Sequence, residues 1–275
     1  MMLFDHLTLI GIYPAPQPGK GRGQLTWAAI DKDLHLLALS QGTSDDLKAY
    51  ASGQAAAVAA ISAPRRPALG LSQNTPQATL FPEPRPTKPV RGRIADQQLR
   101  EHNLGHPHTP GNLEQCPAWM RRGFKLFEML ASIGFYDYPS ESQSFQLMEV
   151  YTQATFTLLS GEPPLPRNSL EGRLQRQLLL SDKDVDVPDP MRFFEEVTRY
   201  KLRNGILPLK DVYLPAELDA LAAAYTAWLA VNNPHSIMLY GDEREGQVVI
   251  PVGLMMPKLN IDSQAKTEYA LLEND

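Results

Sequence analysis

The 275 residues contain one cysteine, Cys116, so neither an intramolecular disulfide framework nor a cysteine-rich zinc module can form. Long hydrophobic runs are missing as well. The longest uncharged apolar stretch, Ala220 to Val231, falls well short of the roughly 20 residues a membrane-spanning helix needs. No basic flank precedes the first apolar residues, Met1-Met2-Leu3-Phe4, as it would in a secretory signal. Together these absences predict a cytoplasmic chain in a reducing compartment, with no membrane association. Gly19-Lys20-Gly21-Arg22-Gly23 lacks the Gly-Lys-Ser or Gly-Lys-Thr ending of a nucleotide-binding loop and reads as a flexible turn. Ser62 and Ser160 have no nucleophile-elbow context, which removes support for a serine hydrolase.

What is present is an ordinary globular composition, 43% hydrophobic and 21% charged, too apolar for a disordered chain. One domain over 1–257 is expected, with an insertion at 64–92 and a polar tail at 258–275. The net charge of -5 speaks against a surface that coats nucleic acid broadly. Charge is uneven, however. Arg65 to Lys125 holds ten Lys and Arg against four Asp and Glu, a local +6 that leaves -11 elsewhere. A basic face and a scattered, solvated set of arginines both fit that count.

Leu7 to Tyr13, Leu25 to Ile30 and Leu34 to Leu39 are runs of strand formers with short connections, which predicts an antiparallel meander. Thr43 with Asp46 reads as a helix start and Gly53 as its end. Ala55 to Ser62 reads as a buried parallel strand. Seven prolines between Pro64 and Pro89 predict a surface excursion. Met120, Phe124, Phe127 and Leu130 recur at helical spacing before Gly134. Phe145 to Tyr151 reads as a strand, and Ala154 to Ser160 as a short helix closed by Gly161. Asn168 with Glu171 predicts a helix start. Asp189-Pro190 predicts another, with Phe193, Phe194 and Val197 inward and Gly205 after its end. From Pro215 a long helix follows, whose Ala222, Ala223 and Ala227 permit close approach to a sheet. Ser236 to Tyr240 and Gln247 to Val252 form a hairpin. Three antiparallel strands followed by alternating helix and strand predict an α/β fold with a mixed sheet.

Several of these segments resemble the domain-of-unknown-function 429 family, described as predicted nucleases with a ribonuclease-H-like fold. They are Asp96 to Arg100 with Thr109-Pro110, Trp119 to Gly123, Glu149-Val150-Tyr151, Glu171 to Arg176, Glu195-Glu196, Leu218 to Leu221 with Ala224 to Ala227, and Glu245-Gly246 with Pro251. The resemblance implies a mixed five-stranded ribonuclease-H-like sheet flanked by helices, with a long Pro-rich insertion and extra helices. It also implies carboxylates at strand ends and on a late helix that hold Mg²⁺ or Mn²⁺ for phosphodiester hydrolysis. Two positions depart from the family pattern: Tyr13 and Ser62 stand where aspartates are usual, and neither is a good anionic ligand for a hard divalent ion. Thr152 likewise replaces a proline. Glu149 and Asp219 remain as the matching acidic residues, the expected catalytic and metal-binding pair. Arg100, Arg121, Arg122, Arg173 and Arg176 are the expected contacts to nucleic-acid phosphates.

Structural roles compete with each of these. Glu149 can pair with Arg173 or Arg176, and Asp219 can serve the positive end of its helix. Glu243 and Glu245 read as solvated turn acids, although Glu245 lies in a matched motif. His102, His106 and His108 near Cys116 offer zinc donors without a standard spacing, or form an ordinary loop. Two functions follow: a metal-dependent nuclease, weakened or degenerate, or a non-catalytic module on the same fold that binds nucleic acid or a protein; a third, nucleotide binding as on the related sugar-kinase and actin-like branch, lacks a recognisable phosphate loop.

Overall fold

The computed structural model describes residues 6–15, 25–71, 92–105, 107–140 and 142–253. The Gly19 to Gly23 turn, residues 72–91 of the insertion, His106 and the 258–275 tail lie outside the described residues. β1 (Leu7–Tyr13), β2 (Leu25–Ile30) and β3 (Leu36–Gly42) form the antiparallel meander. β3 starts two residues later than the apolar run, because Leu34 adopts a left-handed turn conformation at φ 67°. α1 (Ser44–Ser52) begins with the capping box of Thr43 and Asp46 and ends at Gly53. β4 (Ala56–Ile61) then returns parallel to β1.

β6 (Phe145–Val150) lies parallel to β4 and also pairs with the two-residue β5 (Tyr136–Asp137). The hairpin of β7 (Ile237–Asp242) and β8 (Gly246–Pro251) joins the same sheet through a parallel β6–β8 pair. Among the described residues the order is therefore β3-β2-β1-β4-β6-β8-β7, which with β5 beside β6 makes a mixed sheet of eight strands rather than five. The hairpin extends the sheet because Val248 and Ile250 are buried and need a covered face. α2 (Ile94–Glu101) supplies that cover through Ala95 and Leu99.

Alternation along the central strands divides the core in two. Leu9, Val58, Ala60, Met148 and Val150 face α8 (Pro215–Asn232). Ile10, Ile12, Ala59, Ile61 and Leu147 face α1 and α3 (Ala118–Ser132). α8 is buried on nearly every side, as its alanines allow. The helix touches backbone at Gly11, where an added Cβ would lie 1.9 Å from the Ala220 carbonyl oxygen and 2.2 Å from the Ala224 nitrogen.

α4 (Thr152–Ser160) follows β6 directly and ends at Gly161, which takes φ 80°. α5 (Leu170–Ser181) is capped by Ser169 rather than Asn168; the Ser169 hydroxyl accepts from the Gly172 N–H at 3.0 Å. The helix expected after Pro190 is broken into α6 (Arg192–Glu196) and α7 (Arg199–Arg203). Val197 is extended there, and Thr198 caps the second piece by accepting from the Lys201 N–H at 3.1 Å. Phe193 turns inward and Phe194 stays exposed.

Replacing Gly11 with Ala forces α8 off the sheet. Overpacked cores lose about 1–3 kcal/mol, and Gly11→Ala, meeting backbone rather than a flexible side chain, is expected at about 3 kcal/mol or more by urea unfolding.

Candidate functional site

The edge of the sheet at the ends of β1, β4 and β6 opens into a cleft of about 290 Å³. Tyr13 comes from the end of β1, Ser62 from just past β4, Thr152 from the start of α4 and Asp219 from α8. Tyr151, Trp119, Pro64 and Pro107 form apolar and aromatic walls, and Arg167 enters from the loop before α5. Asp219 is the one carboxylate among the described residues that line this cleft.

The polar side chains form a chain through it. Ser62 Oγ and Thr152 Oγ1 are 3.1 Å apart, and Thr152 Oγ1 donates to Asp219 Oδ1 at 3.1 Å. Arg167 Nε donates to Asp219 Oδ2 at 2.6 Å, with Nη2 2.5 Å from the same oxygen. The Arg167 guanidinium lies over the Tyr13 ring, 4.8 Å from its centre. Burial pushes the Asp219 carboxyl above its ordinary pKa, and Arg167, Thr152 and Arg176 pull it back only in part. Burial also raises Tyr13; Asp219 adds to that rise and Arg167 opposes it. Tyr151, buried and beside the same carboxylate, is pushed up to about 12, so both phenols stay neutral at physiological pH.

Glu149 is elsewhere. It lies in register with Ile61 and so faces the opposite side of β6 from Val150 and α8. Its partner is neither Arg173 nor Arg176 but Arg93, just ahead of α2. Arg93 Nη1 and Nη2 donate to Glu149 at 2.7 and 2.5 Å, and the Arg65 N–H adds a bond at 2.8 Å. The same guanidinium reaches Asp96 Oδ1 from Nε at 3.3 Å and Nη2 at 3.2 Å. Asp96 also accepts from the backbone N–H groups of Arg93 and Thr109 at 3.1 and 2.8 Å. Glu245, read as a turn acid, is fully buried and accepts from the N–H groups of Leu69 and Ile94 at 2.7 and 3.0 Å. Glu243 is exposed as expected. Burial would lower the Arg93 pKa, but Glu149 and Asp96 outweigh it and hold the guanidinium above its ordinary value. The knot is thus one cation shared between two carboxylates, Glu149 and Asp96, with the Glu245 backbone carbonyl at 3.4 Å from Nη1.

That geometry accounts for the spacing of the matched motifs. Residues 23–245 match the family described as "Protein of unknown function (DUF429)". The chain belongs to this family. No curated protein and no solved structure matches it. Within this family member, Asp96, Glu149 and Glu245 come from separate matched motifs and meet at Arg93. Trp119, Tyr151 and Asp219 come from others and meet in the cleft.

The five expected phosphate-binding arginines divide. Arg173 donates to the carbonyls of Tyr213 and Val212 at 2.7 and 2.6 Å. Arg176 is buried and donates to the carbonyls of Leu165 and Gly172 at 2.8 and 2.9 Å. Both are committed to internal carbonyls. Arg122 reaches the Pro14 carbonyl at 3.2 Å beside the cleft, whereas Arg100 and Arg121 are exposed. His102 is taken up by the Gln98 carbonyl at 2.8 Å and by the Tyr240 ring, and Cys116 is buried against the carbonyls of Pro110 and Asn112. Asp31, Asp33 and His35 have donor atoms within 4.8 Å of one another. Their closeness has a local cause: Asp31 Oδ1 accepts from the N–H groups of Asp33 and His35 and shapes the β2–β3 turn.

Sequence reasoning missed Arg93 and Arg167. Arg93 stands three residues before a matched aspartate, a spacing that brings side chains together at a helix start. Arg167 carries no local signal, because its partner Asp219 is 52 residues away.

Two outcomes are expected. Arg93→Ala leaves buried carboxylates without their cation and costs about 3–5 kcal/mol of stability, read by chemical unfolding. Asp219 binds its proton more tightly folded than unfolded, so its ionisation lowers stability as pH rises through and above the ordinary value of 3.8. Asp219→Asn is expected to flatten the fall in melting temperature as pH rises above 3.8.

Proposed function

We propose that this chain is a ribonuclease-H-like protein retired from metal-dependent phosphodiester cleavage, and that it acts as a non-catalytic binding module. The order β3-β2-β1-β4-β6, with an antiparallel meander and parallel β1, β4 and β6, supports the fold that the family resemblance implies. The hairpin and β5 extend that core at one edge.

One observation carries the functional reading. Tyr13, Ser62 and Asp219 meet at the strand ends where such a scaffold gathers its carboxylates, and Arg167 occupies the single carboxylate among them. Mg²⁺ and Mn²⁺ prefer sites rich in anionic oxygen, and a pair of ions needs several carboxylates. A phenol, two hydroxyls and one aspartate already bonded to a guanidinium do not fit that requirement. Glu149 cannot supplement them, since it faces the other side of the sheet and is held by Arg93. No hydrolytic step is therefore drawn through a metal at this site.

Nucleic acid is the favoured partner. Arg167 lines the cleft, Arg122 bonds the Pro14 carbonyl beside it, and Arg121 is exposed near the start of α3 close in sequence to Trp119. A protein partner is the second reading, favoured by exposed Phe194, Tyr200 and Leu202 on α6 and α7.

Labelled DNA, RNA and hybrid substrates are expected to remain intact in Mg²⁺ or Mn²⁺, while binding single strands in a salt-sensitive manner. Cleavage by the native chain that Asp219→Ala abolishes would overturn the reading.

A further inference from the structure

The cleft holds more positive charge and more hydrogen-bond donors than its internal contacts consume. Asp219 spends Oδ1 on Thr152 and Oδ2 on Arg167. A guanidinium has five N–H donors. Arg167 commits Nε to Asp219 and one Nη1 hydrogen to Asn168 Oδ1 at 3.3 Å. Its Nη2 is buried at ion-pair distance from Asp219 with no well-aligned hydrogen bond among the described residues, so the Nη1 end is the part left to meet a ligand. Arg176 lies close enough behind to act electrostatically on both Asp219 and Arg167. Two guanidiniums thus face one carboxylate, and of the two only Arg167 is open to solvent, at 30% exposure. The first residues of α4, Thr152 and Gln153, line the floor, and no side chain caps that helix. Its positive end adds to the same field.

An anion is the complement of such a floor. The walls specify what the anion is attached to: Tyr13, Tyr151 and Trp119 offer aromatic surface, with Pro64 and Pro107 closing the gaps. The Ser62 and Thr152 hydroxyls are spent on the chain to Asp219, while Gln153, whose Oε1 accepts from Arg176 Nη2 at 3.3 Å, has an amide N–H₂ to offer a sugar hydroxyl or a base edge. Arginine matches the paired oxygens of a phosphate better than a point charge does. Aromatic side chains in turn stack on nucleobases without regard to sequence.

We propose that this cleft binds a nucleoside monophosphate group without a metal ion, its phosphate on Arg167 and its base against Trp119. The group is either a free nucleotide or the phosphorylated end of a single strand. This assignment rests on the preceding reading, in which the cleft binds rather than cuts. Where a hydrolytic site would place divalent ions against a phosphate, this one presents a guanidinium held in position by Asp219 and by the Tyr13 ring.

The test uses the full chain in EDTA, titrated with AMP, adenosine, inorganic phosphate, benzoate, and oligo-dT with and without a 5′ phosphate. Tryptophan fluorescence and calorimetry give the readout. AMP is expected to bind at least about tenfold more tightly than adenosine, phosphate or benzoate, the size of one charge-assisted contact. Arg167→Lys keeps the charge but not the fork, and should weaken AMP by about tenfold while leaving adenosine unchanged. Trp119→Leu leaves the Arg167–Asp219 pair intact and should abolish the fluorescence change and weaken AMP by a similar factor. Tighter binding of the phosphorylated strand than of AMP assigns the site to strand ends, and equal or weaker binding assigns it to free nucleotide. Either supports the proposal. It is overturned if neither AMP nor the phosphorylated strand binds at millimolar concentration, if both variants bind like the native chain, or if benzoate matches AMP. Metal-dependent cleavage would instead defeat the preceding reading, so the two failures are distinguishable.

Discussion

The close approach of α8 to β1 is the constraint from which the site follows. Gly11 has no side chain, so the backbone of Ala220 and Ala224 rests on the strand itself. Asp219, one residue before Ala220, is thereby carried to the strand ends, where burial removes water from its carboxylate. A buried charge of that kind needs a partner. Arg167 and Thr152 are the groups that the fold brings there. The alanines of α8 and the glycine of β1 thus set the depth of the helix, and the depth sets the electrostatics of the cleft.

A second buried cation, Arg93, organises the other face of β6. It ties α2 to β6 and to the turn between β7 and β8, while Glu245 holds the N–H groups of Leu69 and Ile94 on either side of the proline-rich insertion. Both ends of a long excursion are in this way fixed to one point, and the hairpin is held against the sheet it extends. Ionic knots of this depth add little net stability over an apolar core, but each member is costly to remove alone. Such a knot makes demands on several segments at once, and it gives Asp96, Glu149 and Glu245 structural partners.

The two carboxylates that a metal-dependent mechanism would have used together, Glu149 on β6 and Asp219 on α8, are therefore kept on opposite faces by the strand pleat. Adjacent positions of a strand point to opposite faces: Val150 faces α8 and Glu149 faces away from it. The acids have opposite circumstances as well. Glu149 shares a fully buried Arg93 with Asp96, whereas Asp219 holds an arginine that remains partly open to solvent. Each also lines a cleft, Asp219 the one at the strand ends and Glu149 a separate one of about 300 Å³ with Arg65, Asp137 and Glu243.

Much of the architecture was legible in local pattern. The meander, the Thr43–Asp46 capping box, α3, the Pro215 start of α8 and the final hairpin all follow from apolar periodicity and from residues that begin or end helices, which act within a few positions of themselves. Tyr13 and Ser62 were equally readable as a phenol and a hydroxyl at strand ends, neither a good anionic ligand for a hard divalent ion. What the sequence could not determine was pairing across long separations. That Arg93 rather than Arg173 or Arg176 meets Glu149, that Glu245 is buried, and that Arg167 meets Asp219 depend on which strands become neighbours. Hydrophobic patterning fixes which face of an element is inside, but a charged side chain finds its partner only once sheet order and helix depth have been set. Those are properties of the whole packed chain.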